Sequence, residues 1–327
     1  MDKNKLKGTG GLLSLPDERD FKWSNLGSSA LPFNWNLGYD VTNKLPSYLK
    51  IKNQGQSLSC GGQSMAYYGE VLEAISTKSE EERSAKFIYA QTHVYGGGSY
   101  LRDNCDIAVK QGWARESVLT SYQGNNTPTE AFITDDRDIT PEARNDASIS
   151  KALSYASVDL NIDAVAQAVA NNYGAIILIQ GSNNGTWLSA YPKVPVNGEA
   201  TWNHFLYIGK AKLIDGKKYL CALNSWGPDV GLNGWQWISE DFFTSGRILE
   251  VRTLVFKDKP SQFVFNNNLF WGMKNAEVLQ LQARLNVIQT GFFGSLTFNA
   301  VRKYQQANGI SSTGFVGPLT RAKLNSL

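Results

Sequence analysis

The order of the hydrophobic patterns constrains the fold of this chain more than any other feature. Helical spacing comes first: apolar side chains recur every three or four positions in residues 62–75, and residues 87–94 and 101–111 are also helical in pattern. Strand-like alternation dominates residues 175–257, where the turn at Asp215-Gly216 joins two alternating runs into a hairpin. Helices that precede an antiparallel sheet predict an α+β domain with separate helical and sheet parts.

Length and charge limit the class of protein. The 327 residues suffice for about two domains, and 42% hydrophobic residues can bury a sizeable core, which excludes general disorder. A formal net charge of +3 gives no strong field for nucleic acid, and no apolar run is long enough to cross a membrane. We therefore expect a monomer with neither a nucleic-acid partner nor a membrane span.

Changes in composition divide the chain into four parts. Residues 1–30 are rich in Gly, Ser and Lys with weak periodicity, which predicts an arm that docks on the main body or acts as a short pro-segment. Residues 31–257 form the main domain, in which the Asn-, Thr-, Asp- and Pro-rich stretch 123–147 predicts an exposed connection. Residues 258–270 are predicted to be a linker, and residues 271–327 a separate module.

An internal repeat marks that last module. GFFGSLT at residues 291–297 is echoed by GFVGPLT at residues 314–320, and each copy is a glycine turn that leads into the start of a helix. Apolar residues at helical spacing precede, separate and follow the two copies. The pattern predicts three short helices that share one small core.

The cysteine and histidine inventory leaves few ways to build a reactive site. Cys60, Cys105 and Cys221 cannot all be paired, so at least one thiol is free. With His93 and His204 as the only histidines, a Cys/His zinc site would need carboxylate ligands as well. We expect no metal or organic cofactor, and we expect Cys105 and Cys221 to be buried packing residues.

Cys60 is the candidate nucleophile. It follows a polar, glycine-containing loop and opens an amphipathic helix, where the helix dipole and unpaired backbone N–H groups favour a thiolate. A lone cysteine is more often a small buried apolar residue. Here, however, the neighbours are Ser59 and Gly61 rather than an apolar stripe, and Gln54 lies six residues upstream.

His204 and Asn224 are the candidate partners of that thiol. His204 begins one strand of the predicted hairpin and Asn224 ends the other, so the turn near their midpoint brings the two together. A histidine alone is more often structural. A thiol, an imidazole and a carboxamide that orients the imidazole together supply a nucleophile, a base and a group that fixes the tautomer.

Three sequence blocks carry a resemblance to a known family. KNQGQSLSC, WNHFLYIG and LNSWG resemble, in order, the signature blocks of papain-like cysteine peptidases, and the resemblance covers residues 31–257. The separation of 144 positions from Cys60 to His204 falls in the range expected for that family, whereas Asn224 lies slightly beyond it. The resemblance implies a two-lobed fold with a helical left lobe and an antiparallel, β-barrel-like right lobe.

The resemblance also implies a role for each site residue. Cys60 would be the nucleophile, and His204 its ion-pair partner and later the general acid. Asn224 would hold the imidazole, and Trp226 would cover that hydrogen bond from water. Gln54 would supply the side-chain donor of the oxyanion hole, with the Cys60 backbone N–H as the second donor.

A substrate-binding wall is implied as well. In YGGGSY, the small residues Gly97, Gly98 and Ser99 resemble the wall that binds a substrate backbone as an extended strand. Asn203 and Trp226, which flank the imidazole, are predicted to complete the substrate-binding set.

The chain departs from the family pattern in three places. Gly61, followed by Gly62, replaces the tryptophan that usually follows the nucleophile, which predicts more room or more mobility around the thiol. Ser57 replaces a family cysteine, so that disulfide is absent. Residues 1–30 are too few for the usual helical pro-domain, and we expect this arm to contact or shield the cleft.

The C-terminal module carries a second resemblance. LQARLN, GFFGSLTFNAVRKYQQANGI and TGFVGPLTRAKLN resemble the three-helix peptidoglycan-binding-like domain found on many cell-wall hydrolases. The resemblance implies peptidoglycan as a partner, and Phe292, Phe293 and Phe315 beside the turns are candidate contacts.

Three functional hypotheses follow. The first is a bacterial or phage thiol endopeptidase that cleaves peptides or proteins and is tethered to the cell wall by its module. The second is a lysin-type hydrolase of peptidoglycan stem peptides. The third is a non-catalytic wall-binding protein on a peptidase scaffold, against which the joint retention of the site residues argues. The location expected is the cell wall or the exterior, although the first residues do not predict a secretory signal.

Overall fold

The computed structural model describes residues 9–17, 20–23, 33–45, 47, 49–78, 80–124, 127–255, 264–285, 287 and 290–325. The chain divides into two units, residues 1–257 and residues 258–327. The first unit contains the predicted helical and sheet parts, and the second contains the internal repeat.

The helices of the first unit gather around one long helix, α1 (Cys60–Thr77), which is buried along most of its length. Small residues on α1 let neighbours approach its backbone: a Cβ on Gly69 would lie 2.8 Å from the ring of the buried Trp113. The remaining helices are α2 (Ala85–Thr92), α3 (Leu101–Lys110), α4 (Glu130–Ile133), α5 (Pro141–Ser148), α6 (Ile162–Asn172) and α7 (Asp241–Thr244), with 3₁₀ helices at Val41–Lys44 and Asp136–Asp138.

The described strands of the first unit form two sheets. A seven-stranded antiparallel sheet has the order β4-β9-β5-β6-β7-β8, and β2 pairs with β6 outside this path. A small parallel pair joins β1 to β3. The strands are β1 (Gly11–Leu12), β2 (Tyr39–Asp40), β3 (Ser99–Tyr100), β4 (Ser154–Ser157), β5 (Ala175–Ser182), β6 (Thr201–Ile214), β7 (Lys217–Leu223), β8 (Trp235–Ser239) and β9 (Ile248–Val255).

The large sheet is covered on both faces. Ile176 and Leu178 of β5 pack into the core built by α1, α2 and α3, whereas Ile177 and Ile179 pack into a second core with α6. Because neither face meets water, β5 is a continuous apolar run rather than an alternating one. The same burial on both faces encloses the middle of β6, and His204 lies at the start of that enclosed stretch.

The predicted α+β class is confirmed, and the helix and strand patterns lie where the elements form. The exposed connection predicted at residues 123–147 is wrong in part, because this stretch contains α4 and α5. Thr129 and Thr140 accept hydrogen bonds from backbone N–H groups in the first turns of these helices, and Pro141 fits the first turn of α5. These capping residues are the sequence signal for the two helices, whereas the polar composition of the stretch is equally typical of a loop.

The second unit has its own small core. Its helices are α8 (Ala276–Arg284), α9 (Ser295–Ala307) and α10 (Pro318–Asn325). The unit reaches further toward the N-terminus than the predicted linker boundary at residue 270, because Phe265 and Leu269 are buried in its core. The other buried members of that core are Val278, Leu281, Phe293, Val301, Val316 and Leu324.

Two buried glutamines explain the internal repeat. Gln282 in α8 accepts a hydrogen bond from the N–H of Gly291 (2.8 Å) and donates one to the carbonyl of Phe292 (2.9 Å). Gln305 in α9 makes the equivalent bonds to the Gly-Phe main chain at residues 314–315, at 2.9 and 2.8 Å. Each copy of the motif is therefore a glycine turn held by the preceding helix, and the adjacent Phe side chains at 292 and 315 stay partly exposed.

Candidate active site

Cys60 occupies the first position of α1, and its side chain is buried. Its Sγ accepts a hydrogen bond of 3.3 Å from the backbone N–H of Gly10, which belongs to the N-terminal arm. Burial raises the pKa of the Cys60 thiol to about 11, although backbone N–H groups, those of Phe205 and Gly10 first, act in the opposite direction. In this conformation the thiol is therefore the favoured form.

His204 and Asn224 meet as the hairpin predicts, with Nε2 of His204 2.9 Å from Oδ1 of Asn224. Two further hydrogen bonds orient the side-chain amide of Asn224. Its Nδ2 donates to Oε1 of Gln236 (2.7 Å), and its Oδ1 also accepts the Ser225 N–H (2.7 Å). An oxygen can only accept, so Nε2 carries the proton and Nδ1 keeps a lone pair. Nδ1 is buried and has no hydrogen-bond partner among the described residues.

Trp226 stacks on the imidazole of His204, with ring centroids 4.6 Å apart and planes inclined by 30°. Trp187 and Trp202 extend this cluster, and their rings meet edge-on with centroids 4.8 Å apart. Burial lowers the pKa of His204 to about 4, while the hydrogen bond that its imidazole donates to Asn224 acts to raise it. The imidazole is therefore neutral as well, and it is screened from water on the side of the tryptophans.

Gln54 is tied to the strand end that carries Asn224. Its backbone N–H donates to the carbonyl of Ser225 (2.8 Å), and its Oε1 accepts from the Ser225 hydroxyl (2.5 Å). Its Nε2 donates to the carbonyl of Ser57, three residues before Cys60, at 2.7 Å. One buried side chain thus links the loop before α1 to the loop after β7.

The predicted glycine wall is a main-chain surface. The N–H of Gly98 donates to the hydroxyl of Tyr89 (2.8 Å), and the side chain of Ser99 turns inward, where its Oγ accepts from Nδ2 of Asn104 (3.0 Å). Only backbone is left to face the cleft, and the Ser99 N–H donates to the carbonyl of Gly10 at 3.0 Å. Asn203 lies half-buried on β6 beside His204.

The room predicted beside the thiol is absent. A Cβ on Gly61 would lie 2.4 Å from Nδ2 of Asn104 and 2.5 Å from Oγ of Ser99. A Cβ on Gly62 would lie 2.6 Å from the carbonyl oxygen of Ala85 in α2. The two glycines therefore serve close helix packing, and the expectation of a wider cleft at this point is wrong.

The described part of the arm lies in the cleft. β1 pairs in parallel with β3, which places Gly10 and Gly11 over Cys60 and beside His204. The arm covers the thiol with main chain, because a Cβ on Gly10 would lie only 1.9 Å from the carbonyl oxygen of Leu58. Residues 1–8, 18–19 and 24–30 of the predicted arm lie outside the described residues.

An ionic clip holds the arm further along. Asp20 bonds Arg102 of α3 at 2.6 Å and Arg252 of β9 at 2.9 Å, and the N–H of Ser14 donates to Oε2 of Glu250 (3.1 Å). Partial burial acts to raise the pKa of Asp20, but hydrogen bonds and charge from the two arginines prevail and hold it at about 2. The clip therefore stays charged throughout the physiological pH range.

The thiol and the imidazole are not hydrogen-bonded to each other, because Sγ bonds the arm and Nδ1 has no partner. Both pKa shifts favour the neutral pair over the ion pair that the family resemblance implies.

Cys105 and Cys221 are buried, as predicted, and both are free thiols. Among the described residues no cluster of His, Cys, Asp and Glu is arranged for a metal ion, and no helix is both long and apolar enough to span a bilayer.

Known structures resemble this chain in fold, and a family model matches its C-terminal module. Residues 274–324 match a family model described as a putative peptidoglycan binding domain. Xylellain, a cysteine protease from Xylella fastidiosa, superposes with a TM-score of 0.64 at 18% identity, over 79% of this chain and 99% of that one. Procathepsin L 3 from the larval midgut of Tenebrio molitor gives 0.56 at 16% identity, over 78% and 77%. ProCathepsin B S9 from Trypanosoma congolense gives 0.55 at 12% identity, over 77% and 87%.

No curated protein shows significant sequence similarity to the chain. The structural similarities confirm the predicted papain-like fold. The family match confirms a peptidoglycan-binding-like domain at the C-terminus.

The state of the thiol gives a testable prediction. Alkylation of Cys60 by iodoacetamide requires the thiolate, so in the intact chain its rate should rise with pH toward about 11. In Gly10→Ala the added Cβ would clash with the Leu58 carbonyl, so the arm cannot lie over the sulfur. The pH at which the alkylation rate is half-maximal should then fall to or below the ordinary cysteine pKa of about 8.5. Mass spectrometry of the Cys60 peptide measures the rate. Leu13→Ala, on a half-exposed arm side chain, is the matched control, and identical pH profiles for Gly10→Ala and wild type would contradict the prediction.

Proposed function

We propose that this chain is a cysteine endopeptidase whose site consists of Cys60, His204, Asn224 and Gln54, held at the bacterial cell wall by its C-terminal module. The observation that carries the proposal is the bond between Nε2 of His204 and Oδ1 of Asn224, which leaves the lone pair on Nδ1. A base with a free lone pair activates a thiol that comes within its reach, and the neighbouring arm residues Gly10 and Gly11 lie against Cys60 and His204 respectively. The fold shared with proteins named as cysteine proteases supports the same conclusion.

The chemistry proceeds in two balanced steps. Nδ1 of His204 takes the proton of Cys60, and the thiolate attacks the carbonyl carbon of a peptide bond. The imidazolium then gives that proton to the leaving amine, so that a thioester and a free amine form. Water adds to the thioester with His204 as the base, which releases the carboxylic acid and restores the thiol.

Two groups are proposed to stabilise the oxyanion formed in each step. They are the backbone N–H of Cys60, at the positive end of α1, and the side-chain amide of Gln54. Support for Gln54 comes from its bonds to Ser57 and Ser225, which fix its amide between the two loops of the site. The main chain of Gly98 and Ser99, the half-buried Asn203 and the buried Trp226 are proposed to bind the substrate backbone.

The arm is proposed to hold this peptidase inactive until it is displaced. Its support is the Gly10 N–H on Sγ of Cys60, together with the clip from Asp20 to Arg102 and Arg252. The arm keeps water and substrate from the thiol and favours the neutral form. Its displacement hydrates the site, which removes the main cause of the raised thiol pKa.

Hydrolysis by the arm-displaced protein tests the proposal. Full-length Gly10→Ala should release new amines from purified sacculi or from unfolded protein, and the added substitution Cys60→Ala should reduce the rate by about 10⁴-fold or more. Cys221→Ala in the same background is the matched control, because it removes a buried thiol on β7 away from the cleft.

The substrate that is cleaved separates the hypotheses. Amine release from sacculi alone favours a stem-peptide hydrolase, and cleavage of unfolded protein favours a general endopeptidase. Hydrolysis of neither substrate, with no Cys60-dependent labelling by an epoxide inhibitor, would leave the non-catalytic wall-binding protein as the surviving hypothesis.

The second unit supplies the wall attachment. Phe292 and Phe315 stand at equivalent places of the two repeats and are 45% and 40% exposed, and Phe270 stacks on Phe315 with centroids 6.2 Å apart. Aromatic faces of this kind suit contact with the sugar and peptide surfaces of peptidoglycan. Phe293, the other candidate contact, is fully buried in the core and is excluded from that role.

Binding of the protein to sacculi should depend on the rings of Phe292 and Phe315. We expect Phe292→Ala and Phe315→Ala each to weaken co-sedimentation of the full-length Cys60→Ala protein with sacculi by about 10-fold. Leu296→Ala removes another exposed apolar side chain of the same unit and serves as the control. Equal binding by all three variants and the parent would assign the wall contact to another surface.

A further inference from the structure

The arm is closely confined where it crosses the thiol. At Gly10 an added Cβ would lie 1.9 Å from the carbonyl oxygen and 2.7 Å from the carbonyl carbon of Leu58. On the other side, a Cβ on Gly98 would lie 2.5 Å from the carbonyl oxygen of Gly10. These contacts are between main chains, which cannot rotate away as a side chain can. The arm fits this passage because it has no side chain at position 10.

One carboxylate fixes the width of this passage. Oε2 of Glu130 accepts the N–H of Leu58 at 2.6 Å, and Oε1 accepts the hydroxyl of Tyr89 at 2.6 Å. That hydroxyl in turn accepts the N–H of Gly98 at 2.8 Å. The two walls, Leu58 and Gly98, are therefore tied to each other through Tyr89 and Glu130. Glu130 and Tyr89 act as positioning residues, since they reach the cleft only through the walls.

The next residue of the arm is confined as well. A Cβ on Gly11 would lie 2.4 Å from Cδ1 of Leu178 and 3.3 Å from the backbone nitrogen of His204. Leu178 is fully buried in the core, so its methyl group has little freedom to retreat. This second position is limited by a side chain rather than by main chain, and substitution can widen it.

A substrate must use the same passage. To react, its main chain has to reach Sγ of Cys60, and the wall's hydrogen-bond donor there is the Ser99 N–H, which now binds the carbonyl of Gly10. We propose that the cleft selects peptides with two consecutive glycines at the scissile position. The main-chain carbonyl of Leu58 and the side chain of Leu178 set this preference. The inference rests on the proposed peptidase function and narrows its substrate class.

Four otherwise identical fluorogenic peptides with Gly-Gly, Gly-Ala, Ala-Gly or Ala-Ala at the centre test the proposal. The enzyme is the full-length Gly10→Ala protein, with Asp20→Asn as an independent way to loosen the arm. We expect kcat/KM for Gly-Gly to exceed that for Ala-Ala by on the order of 100-fold in both proteins. Leu178→Val shortens the side chain that faces Gly11, and it should raise kcat/KM for one of the two mixed peptides by about 10-fold.

Ile176→Val is the matched control, because Ile176 lies on the same strand and packs into the same core as Leu178. It should leave the ranking of the four peptides unchanged. Equal cleavage of Ala-Ala and Gly-Gly would overturn the glycine preference while the peptidase function stands. Cleavage of none of the peptides, with no Cys60-dependent hydrolysis of sacculi or protein, would overturn both.

The same chemistry can come from two sources, and two further assays separate them. Amine release from sacculi with glycine-containing cross-bridges, but not from sacculi with direct cross-links, would identify a wall bridge as the source. Cleavage of an unfolded protein at its Gly-Gly sequences, located by mass spectrometry, would identify a protein substrate.

Discussion

The hydrogen bond between Nε2 of His204 and Oδ1 of Asn224 decides which form of the imidazole the site contains. Because Gln236 holds the other end of the amide, the oxygen faces the ring and the basic lone pair is left on Nδ1. Trp226 stacks on the imidazole, and the burial of β6 on both faces shields the His204–Asn224 hydrogen bond from water. A weak neutral base in a fixed orientation is the result, and the proposed chemistry starts from it.

The arm explains why the site is held in a neutral state. Burial disfavours the thiolate of Cys60 and the protonated form of His204, and Gly10 and Gly11 of the arm lie against these two residues. The arm binds through the backbone at the thiol and through charge at Asp20, and these two attachments differ in kind. The backbone contact demands glycine, whereas the ionic clip makes no demand on the residues in the cleft. Under the proposed function, the steric limit on the arm is also a limit on the substrate.

The sequence predicted the parts of the site that local patterns encode. Cys60 at a helix start and the hairpin that joins His204 to Asn224 follow from spacing and turn chemistry, and the helix-sheet order predicted the fold class. The contact of Gly10 with Cys60 joins residues fifty positions apart, and no periodicity encodes it. Glu130 carries no comparable sequence signal, because it lies in a polar stretch whose composition predicts an exposed connection.

Gly61 shows the opposite difficulty. A missing side chain predicted open space, but the space beside a glycine depends on what packs there, and here Asn104 and Ser99 fill it. In the second unit the repeat predicted the helices, but not that Phe292 is exposed while its neighbour Phe293 is buried. Adjacent residues of one turn face opposite ways, and composition does not distinguish them.

Nitrogen-15 NMR of histidine tests the central claim most directly, that Cys60 and His204 form one reactive pair once the arm has left. The chain has only two imidazoles, those of His93 and His204, so the assignment is simple. In the wild type, His204 should stay neutral down to about pH 4. In Gly10→Ala its pKa should rise above the ordinary value of about 6.5, and the added Cys60→Ala should cancel that rise. A His204 titration that is the same in Gly10→Ala with and without Cys60 would contradict the pairing.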